Sequence, residues 1–251
     1  MVLEGFTDRR WQAGLGALAL LYLGVVLKDA WLCDDAYIFF RTVDNFIHGY
    51  GLRWNVSERV QGYTNPLWLF LISGGYWISG EIFYTSIVLS VAVSVAAVAV
   101  FVLKIARTPM AAIVGLGLMV CSKAYVDFST SGLENPLTHL LLSLFLAVYL
   151  RDGIRDNRNV FWMGWIAGLA LVNRMDSGLI YLPALLLVVK GRLRVVAVGM
   201  LPFLLWEVFS LFYYGFPFPN TAYAKLNTGI DRLDLLTQGI YYWGDAFRID
   251  P

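Results

Sequence analysis

The run IVLSVAVSVAAVAVFVL at positions 87–103 decides the fold. It carries no charge and no alternation of polar with apolar residues, which argues against a strand of a membrane barrel. Extended back to Tyr84, it is long enough to cross roughly 30 Å of hydrocarbon as a helix rising about 1.5 Å per residue. Lys104 and Arg107 follow at once and favour the cytoplasmic side, so the span runs from outside to inside. Composition points the same way. Of 251 residues, 59% are hydrophobic and only 15% charged, against roughly 25% charged in soluble proteins. The fold class expected is all-α, a polytopic helical membrane protein.

Working outward, Arg9 and Arg10 precede an apolar run from Trp11 to Leu32 with tryptophans at both ends, as in headgroup anchors. The run is too long for a signal peptide and no small-residue cleavage site follows. It reads as a first span with its amino end in the cytoplasm, which places Asp34 and Asp35 outside. Pro66 to Ile78 is short and glycine-diluted; residues 66–80 read as a re-entrant or surface segment, with a short crossing as the alternative. After Leu103 the alternation is regular: 110–126, 136–150, 161–172, 179–189 and 195–214. Basic clusters Arg151/Arg155/Arg158 and Lys190/Arg192/Arg194 mark the inner ends. Seven crossings result. Residues 1–225 form the transmembrane domain, and 226–251 an outer amphipathic tail with its pattern between Leu233 and Phe247.

The first outer loop, 33–65, is the densest polar insertion. From Asp35, apolar Ala36, Phe39, Phe40, Val43, Phe46 and Ile47 recur at helical spacing, with Arg41, Asp44, Asn45 and His48 opposite. This juxtamembrane helix is expected to lie on the membrane, apolar side down, until Gly49 and Gly51 stop it. Asp34/Asp35, Glu134, Arg174/Asp176 and Asn220/Lys225 all fall at outer ends of spans. Charges at that depth are costly unless paired or lining a wet cavity, so their convergence suggests one shared site. Decoration of helix ends is the competing reading. A net charge of +1 identifies no partner, and the basic residues form inter-span clusters rather than a face interleaved with aromatics, so no nucleic acid is expected. Cys33 and Cys121 read as free thiols, with pairing at the outer face the alternative. Two histidines, His48 and His139, make a histidine-built metal centre improbable.

Four motifs in order, Asp34-Asp35-Ala36-Tyr37, Gly51-Leu52-Arg53-Trp54-Asn55, Gly62-Tyr63-Thr64-Asn65-Pro66-Leu67-Trp68 and Ser131-Gly132-Leu133-Glu134, together resemble the GT-C membrane glycosyltransferases. The nearest branch is the mycobacterial terminal arabinofuranosyltransferase type. The resemblance implies an integral membrane enzyme with its active site on the outer face. Such an enzyme takes a sugar, arabinofuranose in that branch, from a polyprenyl-phosphate donor and passes it to a glycan, lipid or protein acceptor of the cell envelope. Relatives of this type usually have further spans after the Pro-Asn-Thr segment and often a soluble carboxyl-terminal domain. A truncated chain, inactive alone, or one half of a split enzyme is therefore expected. Arg174-Met175-Asp176-Ser177 stands where relatives commonly read Arg-Pro-Asp-Gly.

The resemblance makes Asp34 and Asp35 the catalytic pair. Asp34 is the expected base for the acceptor hydroxyl, a role worth about 10² to 10⁴ in rate, and Asp35 would orient the acceptor or tune its neighbour. If the pair instead holds a divalent cation, it is a hard, oxygen-liganded one shared with Glu134. Arg174, Arg41 and Lys225 are candidates for the donor phosphate, and Tyr63, Thr64, Asn65 and Trp68 for the sugar. Asp176 and Asn220 complete the candidate substrate contacts. The bland alternatives are an acidic first helical turn for the aspartates and snorkelling for the cations. A transporter or flippase of a lipid-linked sugar, or a non-catalytic partner subunit, are the competing functions.

Overall fold

The computed structural model describes residues 8–151, 153–154, 156–226 and 229–250; Arg155, counted above among the inner basic residues, lies outside them. The protein is an all-helical membrane protein, with no strand among the described residues. Among the described residues two helices are long and apolar enough to cross a membrane unaided: α1 (Arg9–Lys28) and the stretch Ile82–Ile105, whose last turn widens to π geometry. A third span results if Leu193–Gly199 and Leu201–Tyr214, bent by 58° at their junction, count as one.

Local chemistry sets the helix ends. Asp8 caps α1, its carboxylate accepting the Arg10 N–H at 2.9 Å. The helix stops at Lys28, short of the expected Leu32, and an irregular link leads to α2 (Asp34–Ile47). In α2 no side chain caps the amino end; Asp34 and Asp35 fill the first turn, where negative charge meets the positive end of the helix dipole. Pro66 opens α3 (Pro66–Ser79), its missing N–H being one the first turn leaves unpaired anyway. Glu81 starts α4 (Ile82–Val100) by accepting the N–H groups of Phe83 and Tyr84. Then follow α5 (Pro109–Cys121), α6 (Lys123–Asp127), α7 (Asn135–Tyr149) and α8 (Asn157–Asn173). Past a 3-10 turn at Met175–Ser177 come α9 (Gly178–Val188), α10 (Leu193–Gly199), α11 (Leu201–Tyr214), α12 (Asn220–Leu226) and α13 (Arg232–Ile249).

Small residues bring the helices together, as expected where lipid supplies no hydrophobic drive between them. Ser86, Ser90, Ser94 and Ala97 are buried along the face of α4 that packs on α7. Gly199 in α10 lies so close to α8 that a Cβ there would fall 2.7 Å from the Phe161 carbonyl oxygen. The larger core joins α2, α3, α7, α8, α9 and α11; a smaller one joins α1, α4, α5 and α6.

The structure corrects one expectation. Ala36, Phe39, Phe40 and Val43 of α2 are buried in the larger core, largely against α3, instead of resting on lipid. A loop that must hold side chains in register gains more from a close-packed protein wall than from a fluid surface. The approach also depends on Gly132, whose φ of +84° favours glycine and where a Cβ would sit 2.7 Å from that of Ala36.

Candidate active site

Residues 131–134 lie against α2, and the consequence is a cleft. Its volume is about 380 Å³, and it is lined by Asp35, Ile38 and Phe39 of α2, by Gly62 to Asn65, and by Leu133, Glu134, Arg174 and Thr221. A second cleft of about 430 Å³ shares Thr64, Arg174 and Thr221 with the first and adds Met175, Asp176 and Phe218.

The far wall is an ionic network. Glu134 is buried, and both its carboxylate oxygens are taken: Oε1 accepts from Arg174 Nη1 at 2.8 Å, and Oε2 from the Asn65 amide at 2.8 Å. This explains why Asn65, the residue before α3, makes no capping bond with its side chain. Arg174 Nε in turn donates to both oxygens of Asp176, at 2.9 and 3.1 Å. Burial works against the Arg174 charge, but Asp176 and Glu134 more than offset it and hold the guanidinium even more firmly protonated. Its Nη2 makes no hydrogen bond among the described residues. Asn173 adds a further tie, its amide donating to the Glu134 carbonyl at 3.3 Å and to Thr138 Oγ1 at 3.0 Å.

The near wall is open. Asp35 lines the cleft, and its carboxylate has neither a cationic partner nor a hydrogen bond among the described residues. Asp34 is also exposed but does not line the cleft; its Oδ1 turns back to accept the Asp35 N–H at 2.9 Å.

The remaining candidates divide. Thr64 lines both clefts. Tyr63 lines the first, but its hydroxyl is committed to Tyr214 at 2.8 Å, and Tyr214 donates to the Leu52 carbonyl at 2.7 Å. Trp68 is fully buried and donates to the Gly132 carbonyl at 2.9 Å, so it holds the glycine turn instead of facing a sugar. Arg41 is not brought to either cleft; it donates to the Trp54 carbonyl at 3.0 Å and stacks on the Trp54 ring at 4.2 Å, pinning the loop to α2. Asn220 pairs reciprocally with Gln61, N–H to O and N–H to Oδ1, both at 3.3 Å, and so docks α12. Lys225 lies on α12, with its side chain outside the described part. Thr221, adjoining Asn220, was not singled out in the sequence; its buried Oγ1 has no partner and lies where the two clefts meet. Ile38 and Met175 were missed as well, although Ile38 lies one turn from Asp35.

Beside the polar clefts runs an apolar groove of about 530 Å³ between α3, α8 and α11, walled by Leu67, Phe70, Leu169, Val172, Trp206 and Phe209. Leu52 lines it too, so the Tyr63–Tyr214–Leu52 chain separates groove from cleft. Among the described residues no three His, Cys, Asp or Glu side chains are grouped to hold a metal ion. A cation shared with Glu134 does not fit, because it would displace Arg174 and Asn65.

No family profile and no solved structure matches the chain. Curated relatives include the terminal beta-(1->2)-arabinofuranosyltransferase of Mycobacterium tuberculosis, 29% identical over 250 residues that cover 90% of this chain and 39% of that protein. The protein of the same name from Corynebacterium glutamicum is 28% identical over 231 residues, covering 78% of this chain and 33% of the relative. The chain therefore spans well under half the length of either. It is the terminal arabinofuranosyltransferase branch that the chain resembles over most of its own length.

Proposed function

We propose that the chain carries the catalytic portion of a GT-C glycosyltransferase, which moves a sugar, arabinofuranose in the first instance, from a polyprenyl-phosphate donor to a cell-envelope acceptor. The cleft opens on the outer face of a seven-crossing domain, and transfer inverts the anomeric carbon. One observation carries this reading: among the described residues the Asp35 carboxylate and Arg174 Nη2 have no partner, and both residues line one cleft that adjoins an apolar groove. That combination suits a donor with a lipid tail, an anionic linkage and a sugar.

In this scheme Arg174, oriented by Glu134 and Asp176, binds the donor phosphate through Nη2. The phosphate leaves with the bonding electrons of the anomeric C–O bond while the acceptor hydroxyl attacks from the opposite side, and its proton passes to a carboxylate oxygen of Asp35. Geometry thus favours Asp35 over Asp34 as base. Asp34 sits at the helix start and fixes Asp35's backbone. Thr64 supplies a hydroxyl contact to the sugar or acceptor.

The test uses purified protein in nanodiscs with a synthetic polyprenyl-phosphoryl arabinofuranose and an arabinan acceptor. Release of polyprenyl phosphate, lowered about 10² to 10⁴-fold by Asp35→Asn, supports transfer. Intact donor carried across sealed vesicles without cleavage would favour a transporter and overturn it.

A further inference from the structure

The helix α13 has a surface the cleft chemistry does not use. Leu233, Leu236, Ile240, Trp243 and Phe247 recur at i, i+3, i+7, i+10 and i+14, which at 100° per residue confines them to an arc of about 80°. Asp234, Gln238 and Asp245 take the opposite side, together with Tyr242 and Ile249. All five stripe residues are 64–71% exposed, and no residue of the helix is buried.

Where the helix ends decides what can cover that stripe. At its carboxyl end, Asp250 accepts hydrogen bonds from Ser122 Oγ at 2.6 Å and from the N–H groups of Lys123 and Ala124 at 3.2 and 3.1 Å. It thereby clasps the start of α6, the short helix that leads into the 131–134 turn and Glu134. At its amino end the helix follows α12, whose Thr221 lines the cleft and whose Asn220 is docked on Gln61. The carboxyl end is thus held on the cleft side of the bundle. Eighteen residues of helix reach about 27 Å, but α13 does not meet the hydropathy of a span. The level of the clasp is marked by Trp31, half-exposed just past the end of α1, whose indole N–H donates to the Asp127 carbonyl of α6 at 2.9 Å. That is where an aromatic sits at a membrane–water boundary.

We infer that α13 lies in the headgroup layer on the cleft side, with the Leu233–Phe247 stripe inserted between lipids. Trp243 suits that depth; Arg232 and Arg248 are balanced by Asp234 and Asp245, so burial of the apolar stripe, not charge, holds the helix there. The helix then acts as a float that fixes how far the cleft stands above the hydrocarbon. This inference is independent of the reaction proposed for the cleft.

Photo-crosslinking in the otherwise native chain tests it. Benzoylphenylalanine is placed singly at Ile240, Phe247 or Asp245, and the protein is reconstituted in nanodiscs of phosphatidylcholine with phosphatidylglycerol. Lipid adducts identified by mass spectrometry should form at least about tenfold more from positions 240 and 247 than from 245, as an interfacial helix with one inserted face requires. Adducts from 240 and 247 to protein, whether this chain or a second copy, would overturn the proposal, as would equal lipid yield from all three sites or none from any. Using two stripe positions guards against a single misfolded variant.

Discussion

The two walls of the cleft invite comparison. On one, Glu134, Arg174, Asp176 and Asn65 satisfy one another almost completely. On the other, Asp35 presents a carboxylate with no partner among the described residues, next to a second acid, Asp34. The difference teaches that charge at a membrane boundary serves two ends. A paired group is fixed in position and can hold a ligand; an unpaired one retains the capacity to take up a proton. The comparison predicts that substitutions on the paired wall act through both stability and ligand binding, and those on the open wall through chemistry alone.

The largest expected effect separates the two aspartates. Asp35→Asn should lower transfer by about 10² to 10⁴, whereas Asp34→Asn should lower it less than about tenfold, since only the former faces the cleft. Rates measured side by side under single-turnover conditions check this, and the reverse order would restore Asp34 as the base. Both variants should keep the wild-type thermal midpoint in detergent.

Glu134→Ala comes next. It leaves the Asn65 amide and part of Arg174 without partners, at a cost of about 1–3 kcal/mol, readable as a lowered midpoint in thermal or denaturant unfolding. Combining it with Arg174→Met should cost less than the sum of the two single changes, because both remove the same contact. Strict additivity would mean the pair is not coupled and that the wall is not a network. Tyr214→Phe removes the hydroxyl that bridges Tyr63 and Leu52 and should cost about 1 kcal/mol. The smallest change is expected from Arg41→Ala. It loses an exposed stack and a loop contact worth about 0.5–1 kcal/mol, with the donor KM unaltered. A large rise in that KM would mean that Arg41 does reach the phosphate.

Part of this was legible beforehand. The period of Ala36, Phe39, Phe40 and Val43 located α2 and its buried face, because a 3.6-residue repeat is written in local sequence alone. Charged and amide side chains at span ends pointed to one site, and Asp35, Glu134 and Arg174 do line one cleft. What covers the face of α2 was not legible. An apolar stripe is the same string of letters whether protein or lipid lies against it, as α2 and α13 illustrate: one is packed on α3, the other bare. The division of labour between Asp34 and Asp35 was equally hidden, since adjacent residues on a helix point about 100° apart and only the neighbours decide which direction is the cleft.

By itself, then, the sequence determined the helical character of the chain, its affinity for a membrane, and the polar residues available at one end. Those follow from composition and period, which are properties of short segments. Tertiary structure alone decided that Trp68 and Arg41 support the loop, that Thr221 lines the cleft, and that Glu134 is held by Arg174 and Asn65. These depend on which of several geometrically possible partners lies within about 3 Å, and residues 40 to 70 positions apart in the chain meet only when the helices between them have packed.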